Sequence, residues 1–426
     1  MSSLASRAWL VVVLLWPVAL LNYLDRQMLA TLKTSVCDDI LRVPGDEPPP
    51  SPGAPEVKSK VDTQFGWIMA TFMYVYAILS PIGGFIGDRF DRRLTLIFSL
   101  LVWSAVTFAT GLATNFTEMI VLRALMGVSE AFYIPTALAM ISEFHPGPTR
   151  TRAVGLHQTG IYAGTALGGL GAVIAAQTGS WRNAFYIFGI IGIAYALVLF
   201  VALPGPPRSE DRAGHRESKA GVLETLKVLW GQWAFWLLVA YFTLPAVSGW
   251  LMKNWLPAHI KKDFELTEAA AGMWASMTPV VGQVFGAVFG GWLADSWSLR
   301  TPRGRILASA CGTGLVACGL VVLAFSSSLP MAVVGMVTFG IGWGMFDSNN
   351  MPILCQLVAP KFRATGYGFM NLVSIGTGAS STVLQGVLND AGTPFQYAFL
   401  GSAAIAVLGA MLILLVKPTR VDAGTS

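Results

Sequence analysis

Residues 9–32 have the sequence WLVVVLLWPVALLNYLDRQMLATL, an apolar run that contains the adjacent pair Asp25 and Arg26. A membrane-spanning helix needs about 20 predominantly apolar residues, so this run is long enough to cross a bilayer. A charge at the bilayer centre costs about 2.5–3.5 kcal/mol on insertion scales, and such residues normally face a cavity and pair. The stretch therefore predicts a membrane helix with functional charges in its interior.

The composition of the whole chain extends this prediction. Of 426 residues, 54% are hydrophobic and 12% are charged, about half of the roughly 25% charge of soluble domains. The basic residues are dispersed, which argues against nucleic-acid binding, and the four cysteines lack disulfide or metal spacing. We expect a protein of the lipid bilayer with no cofactor, no metal site and no nucleic-acid partner.

Apolar runs between charged or Pro/Gly breaks predict an all-α membrane protein with 12 transmembrane helices. A polar segment near the middle predicts three regions: an N-terminal six-helix bundle over 1–203, a cytoplasmic linker with an interfacial helix over 204–231, and a C-terminal six-helix bundle over 232–426. The predicted spans are 9–32, 64–86, 94–113, 119–142, 153–176, 182–203, 232–252, 268–294, 305–326, 330–356, 364–388 and 395–416.

The distribution of Lys and Arg predicts the orientation. Loops on the side of the two termini contain eighteen basic residues and the opposite loops contain eight. By the positive-inside rule both termini lie in the cytoplasm. We expect a multi-pass protein of the plasma (inner) membrane.

Three short motifs recur in order in the two halves, which predicts two pseudo-symmetric bundles. Repeated bundles are typical of transporters with a substrate site near the bilayer midplane. The recurring pairs are Gly84–Asp88 with Gly291–Asp295; Gly127, Glu130 and Pro135 with Gly344, Asp347 and Pro352; and Arg152–Gly155 with Arg363–Gly366.

Five charged residues lie inside the predicted spans and away from their ends: Asp25, Arg26, Arg123, Glu130 and Asp347. Three acids against two arginines leave one negative charge, which a single proton would neutralise, and this motivates proton coupling at the three acids. Neighbours on a helix point about 100° apart, so we expect cross-helix pairing, with Arg123 near a carboxylate of the first span. The alternative is that these ions only lock helices together.

Arg26 and Arg123 have the forked guanidinium that binds a carboxylate with two hydrogen bonds. Other polar residues of the spans could bind a polyhydroxylated ligand or could equally join helices. These candidates are Tyr23, Asn22, His157, Gln158, Asn349, Asn350 and Asn371. A gating role at helix ends is predicted for Gly84, Asp88, Arg89, Arg92 and Asp295, because a carboxylate there can bridge to basic residues in one conformation only.

The sequence from Gly84 to Arg93 (GFIGDRFDRR) resembles the signature of the major facilitator superfamily, with Asp91 in place of its second glycine. The motifs Tyr23–Arg26, Leu122–Pro135 and Arg152–Gly155 are similar to the anion:cation symporter family. That resemblance implies protonation at Asp25 and Glu130 and substrate binding and coupling at Arg26 and Arg123. Spinster-type lipid transporters share the same charged pattern.

The leading hypothesis is a monomeric, proton-coupled symporter of a small organic anion, such as a sugar acid, that works by alternating access. One alternative is proton-driven export of lysolipids or amphiphiles along Phe132, Tyr133, Trp343 and Phe346. Another is a membrane sensor that retains the transporter fold. The absence of a nucleophile triad or P-loop argues against an enzyme.

Overall fold

The chain is described by a computed structural model over residues 2–41, 60–87, 91–145, 149–205 and 227–416. Within these ranges it is all helical, as the composition predicts. The α-helices are α1 Ser2–Thr31, α2 Lys33–Val36, α3 Val61–Gly87, α4 Arg92–Thr110, α5 Phe116–Glu130, α6 Tyr133–Phe144, α7 Arg150–Leu167, α8 Leu170–Thr178, α9 Trp181–Ala202, α10 Trp233–Asp263, α11 Glu268–Ser298, α12 Gly304–Ala324, α13 Leu329–Leu357, α14 Pro360–Asp390 and α15 Phe395–Leu414. A π-helical turn, Cys37–Leu41, follows α2.

Ten spans in the described residues are long and apolar enough to cross a membrane. In two of them a predicted single helix is divided: α5 and α6 separate immediately after Glu130, and α7 and α8 separate at Gly168 and Gly169. Two further helices, α3 with 27 residues and α14 with 31 residues, are long enough but are not among the ten. The prediction of twelve spans depends on counting these two helices as well.

The chain forms two compact units. The first contains Met1–Pro207, Lys253–Met277 and Ala379–Thr393, and the second contains Arg208–Met252, Thr278–Gly378 and Pro394–Ser426. The first unit thus includes ends of α10, α11 and α14, which the sequence assigns to the C-terminal bundle. Most of the predicted linker lies outside the described residues, so the three-region division stays a prediction.

Glycines allow the helices of each unit to pack closely. A Cβ added at Gly127 of α5 would lie 2.8 Å from the Phe72 carbonyl oxygen of α3. A Cβ added at Gly344 of α13 would overlap the Gln283 carbonyl oxygen of α11. These two glycines occupy the same place in the sequence repeat, so the repeat reflects the same helix contact in each unit.

Arginines cap helix C-termini in a repeated pattern. Arg150 Nε donates to the carbonyl of His145, and Arg363 Nε donates to that of Val358, in each case five residues earlier. Arg303 Nη2 donates to the carbonyl of Val416, just beyond α15. Cations at these positions satisfy free carbonyls and complement the helix dipole.

The first unit is closed at the end where α1 ends and α3 begins, which we call the far end. Asp390, the last residue of α14, caps α3: its Oδ1 accepts from the backbone N–H of Asp62 at 3.1 Å. Its Oδ2 accepts from the backbone N–H and hydroxyl of Thr63 at 2.8 and 2.5 Å. The carboxylate satisfies two of the N–H groups that a helix start leaves free.

A second set of contacts joins the far end to α10 and α11. Glu268, the first residue of α11, accepts from the backbone N–H and the hydroxyl of Ser35. Lys33 forms an ion pair with Asp62 at 2.5 Å and lies 5.0 Å from the ring centroid of Trp255 on α10. The far end is therefore held by polar contacts from three helices of the C-terminal half.

Gly164→Ala is expected to destabilise the protein, because the new methyl group would overlap the Leu20 carbonyl oxygen of α1. This oxygen belongs to the backbone of a helix and cannot move aside as a flexible side chain could. Overpacking typically costs about 1–3 kcal/mol. The matched control is Gly155→Ala on the same helix, where no atom lies within 4 Å. There the better helix propensity of Ala should give an equal or higher Tm. Thermal unfolding in detergent measures the Tm of both variants. Equal changes in Tm would contradict close packing of α1 on α7.

Asp390→Asn is expected to open the far end, and Cys37 provides a native reporter there. Burial raises the pKa of the Cys37 thiol to about 12, so it reacts slowly while the far end is closed. Opening returns the pKa towards its ordinary value and increases the thiolate fraction. We expect maleimide modification in detergent to be faster by roughly tenfold or more, because hydrogen bonds to charged groups contribute about 1.5–3 kcal/mol and about 1.4 kcal/mol is a factor of ten.

The measurement uses a background in which the other three cysteines, Cys311, Cys318 and Cys355, are replaced by Ser. The control is Glu118→Gln, since Glu118 accepts only from the adjacent Thr114 and Asn115. An Asp390→Asn rate equal to that of the control would show that the α14 cap does not keep the far end closed.

Candidate functional site

A cluster of buried charges occupies the interior of the first unit. Asp25 and Arg26 are on α1, and Arg123 and Glu130 are on α5. Glu130 is fully buried, and the exposed fractions of Asp25 and Arg123 are only 3% and 2%. Four of the five charges singled out by the sequence therefore lie in one unit, while Asp347 is half-buried in the other.

Arg26 and Glu130 form the ion pair of this cluster. Arg26 Nε donates to Glu130 Oε2 at 2.5 Å. Arg26 Nη2 and Glu130 Oε1 are both buried, and within the described ranges neither has a hydrogen-bond partner. The amide of Asn22 faces Glu130 without meeting hydrogen-bond geometry. The pair joins α1 to α5 and leaves hydrogen-bonding capacity unused on both partners.

Arg123 has no such partner. Its Nε and Nη2 are buried and form no hydrogen bond with any part of the chain that the structure describes, although its charge interacts with Asp25 and Glu130. The carboxylate of the first span whose charge Arg123 senses is that of Asp25, whereas the hydrogen-bonded ion pair between the two helices is formed by Arg26 and Glu130. Buried guanidinium donors without partners are costly, so the site is suited to an added acceptor.

Asp25 depends on a neutral donor. The hydroxyl of Thr107 on α4 donates to Asp25 Oδ2 at 3.1 Å, and Asp25 Oδ1 is buried without a partner. A buried carboxylate with so few hydrogen bonds carries a large desolvation cost, which a bound proton would remove.

Three aromatic rings surround the guanidinium of Arg26. Its Cζ lies 4.4 Å from the ring centroid of Tyr76, 4.8 Å from that of Tyr23 and 5.1 Å from that of Phe72. Cation–π contacts contribute about 0.5–1 kcal/mol when exposed and about 2 when desolvated. Phe72 and Tyr76 escaped the sequence reasoning: their i,i+4 spacing places them on one face of a helix, but nothing in the sequence indicates what that face contacts.

Packing against α5 fixes the position of the two rings on α3. Gly127 allows the α5 backbone to approach Phe72 and the Tyr76 backbone N–H. Glu130 follows one turn later on α5. The close contact that brings Glu130 to Arg26 therefore also brings the rings to it.

The other residues of the first unit that are predicted to bind substrate differ in their surroundings. His157 is fully buried, and its Nε2 lies 2.9 Å from the Tyr133 hydroxyl. That hydroxyl also lies 3.1 Å from the Leu15 carbonyl oxygen, to which it can donate. Tyr23 and Gln158 are half-buried. Binding roles for these residues stay predictions.

The residues of the second unit that are predicted to bind substrate lie on α13 and α14. Asn349 donates to the Met345 carbonyl of its own helix at 2.8 Å. Both amide atoms of Asn350 are buried without a hydrogen-bond partner. Asn371 is half-buried. Of these three, Asn350 has the unused polar capacity that a ligand site requires.

The predicted gating residues are only partly described. Gly84 lies in α3, whereas Asp88 and Arg89 lie outside the described residues. Arg92 pairs with Glu143 of α6. Asp295 pairs with Arg305 at 3.3 Å. A gating role for these residues stays a prediction.

Comparison with known proteins identifies the family. The sequence model of the Major Facilitator Superfamily matches residues 15–381 and 248–425. The hexuronate transporter of Bacillus subtilis is 24% identical over 433 residues, which cover 95% of this chain and 93% of that protein. Protein spinster homolog 3 of Danio rerio is 25% identical over 447 residues, 96% of this chain and 84% of that protein.

The crystal structure of a D-xylose-proton symporter has the same fold. It superposes with a TM-score of 0.73 at 16% identity, over 98% of this chain and 99% of that one. The predicted resemblance and fold class are confirmed. The chain belongs to the major facilitator superfamily, and it is a membrane transporter rather than an enzyme.

Proposed function

We propose that the protein is a proton-coupled symporter of a small organic anion and works by alternating access. The observation that carries the proposal is Arg123, whose buried Nε and Nη2 have no hydrogen-bond partner among the described residues. A carboxylate matches the two donors of a guanidinium in charge and geometry.

Charge balance supports proton coupling. Asp25 and Glu130 compensate Arg26 and Arg123, so the cluster is neutral when all four are ionised. A bound monoanion adds a negative charge, which resists closure in a low-dielectric site. One proton, on Asp25 or Glu130, restores neutrality. Anion and proton therefore favour the closed state together, and one proton accompanies each unit of anion charge.

Glu130 gives the coupling a direct route. A proton on Glu130 would end its ion pair with Arg26, and Arg26 Nη2 already lacks a partner. Arg26 would then bind the anion that Arg123 also attracts. Asp347 lies in the other unit, and a part for it in proton transfer is a weaker proposal.

The names of the relatives favour the anion hypothesis. A hexuronate is a polyhydroxylated carboxylate, and the similar fold serves proton symport in the D-xylose protein. The spinster relative keeps amphiphile export as the alternative. Two aromatics proposed for an amphiphile path, Tyr133 and Phe346, are packed inside their units, which favours the small anion.

Orientation and location are part of the proposal. The excess of basic residues on the side of the two termini supports termini in the cytoplasm, with the far end of the first unit on the opposite side. We also propose that the protein acts as a monomer and is located in the plasma (inner) membrane.

The decisive experiment reconstitutes the protein in liposomes with an inward proton gradient and measures uptake of glucuronate, other sugar acids, monocarboxylates and lysolipids. We expect accumulation of a sugar acid by about tenfold per pH unit, unaffected by a potential set with potassium and valinomycin. The Arg123→Gln variant, measured in parallel, should lose most of its affinity for the sugar acid. Accumulation that ignores the pH gradient would refute symport, and proton-driven lysolipid movement would favour the alternative.

Glu130→Gln is expected to abolish uphill uptake and to spare anion exchange at equal pH. Glutamine resembles the protonated acid, so Arg26 is permanently released but no proton can be carried. We expect at least a tenfold loss of gradient-driven accumulation. Glu118→Gln, an exposed acid of the same helix, is the matched control. Unchanged uphill uptake would remove Glu130 from the coupling mechanism.

A further inference from the structure

Arg26 is held by two different kinds of contact. Glu130 accepts a single hydrogen bond from Nε, at one edge of the guanidinium. The rings of Tyr23, Phe72 and Tyr76 lie within 5.1 Å of its central carbon. Ring contacts consume no N–H donor, so the side chain is positioned while Nη2 keeps its hydrogen-bonding capacity.

The three rings come from two helices. Tyr23 is on α1, one turn before Arg26, while Phe72 and Tyr76 are on α3 and stack on each other at 5.8 Å with 24° between their planes. Both α3 rings are buried, and the Arg26 side chain is 13% exposed. A desolvated site strengthens the attraction of a cation to a ring face.

The attraction depends on whether Glu130 is charged. Next to a carboxylate the guanidinium is partly neutralised, and its attraction to the rings is weakened. When Glu130 takes up a proton, the full positive charge acts on them. The rings therefore stabilise the unpaired state of Arg26 more than the paired state.

We propose that Tyr23, Phe72 and Tyr76 form an aromatic clamp that keeps Arg26 in place while it exchanges Glu130 for the substrate anion. The clamp rests on the proposed function, because the exchange it serves is a step of anion symport. Its three members are positioning residues, and they act through Arg26. Among the described residues, Arg123 has no comparable set of rings, so the clamp distinguishes the two arginines.

The groups that face the clamped pair determine its response to pH. Glu130 faces Arg26, Arg123 and Asn22, and Asp25 faces Glu130, Arg123 and Thr107. The phenol groups of Tyr23 and Tyr76 face Arg26. A weaker clamp makes unpaired Arg26 less stable, so Glu130 would take up a proton only at lower pH.

The test replaces Phe72 by phenylalanines with one, two or three ring fluorines, which weaken the negative ring face and scarcely change its size. Thermal unfolding in detergent is measured in the wild-type and Glu130→Gln backgrounds. Because Arg26 is unpaired in the Glu130→Gln protein, we expect each fluorine to lower its Tm roughly twice as much as in the wild type. The control is the same series at Phe185, a buried ring packed on Trp181.

Equal Tm losses in the two backgrounds would overturn the clamp and leave the rings as packing. The Tyr76→Phe variant, which keeps the ring, should behave as wild type, whereas Tyr76→Leu should show the larger loss with Glu130→Gln. These readouts need no substrate, so they test the clamp even if liposomes show no proton-driven anion uptake. That result would refute only the proposed function.

Where uptake occurs, the Phe72 variant with three ring fluorines should have a KM for glucuronate raised roughly threefold to tenfold, and half-maximal uptake should move to lower pH.

Discussion

The buried ion pair between Arg26 and Glu130 is the interaction on which the first unit depends. Removing one partner of a buried pair leaves an uncompensated charge and costs several kcal/mol, so neither residue can be lost alone without a large penalty. The same pair joins α1 to α5, and Gly127 lets α5 pack on the backbone of α3, which also contacts Arg26 through its rings. Close glycine packing and buried charge are thus two parts of one arrangement.

Neutrality explains why the cluster is poised for transport. Four ionised groups with no net charge are tolerable in a low-dielectric interior, whereas five are not. In the proposed mechanism an anion that enters brings a compensating proton, because a proton that enters alone leaves Arg26 or Arg123 in excess. The proposed coupling thus rests on the number of buried charges rather than on a specialised proton channel.

The sequence alone allowed the helical membrane fold and the buried charges to be predicted, because an Asp, Glu or Arg inside an apolar run stands out against its neighbours. It did not allow their pairing to be predicted. Arg26 and Glu130 are 104 positions apart, and only helix packing decides whether Arg26 or Arg123 meets the acid. Phe72 and Tyr76 were missed because an aromatic residue in an apolar helix has the same sequence pattern whether it faces lipid, core or a cation.

The contacts of Asp390 and Glu268 were missed for a related reason: acids at helix ends are ordinary, and their partners lie in the other half of the sequence.

The sequence repeat also shows where the two halves have diverged. Gly127, Glu130 and Pro135 correspond to Gly344, Asp347 and Pro352, and by the same spacing Arg123 corresponds to Gly340. A Cβ added at Gly340 would overlap the Pro279 carbonyl oxygen of α11, so that position is closed to any side chain, let alone an arginine. The second half thus retains the glycine contact, the acid and the proline but uses the arginine position for an additional close helix contact. The repeat position that holds Arg123 in the first half therefore holds a glycine in the second, so the grouping of acids with arginines on which the proposed anion binding rests belongs to the first half of the repeat.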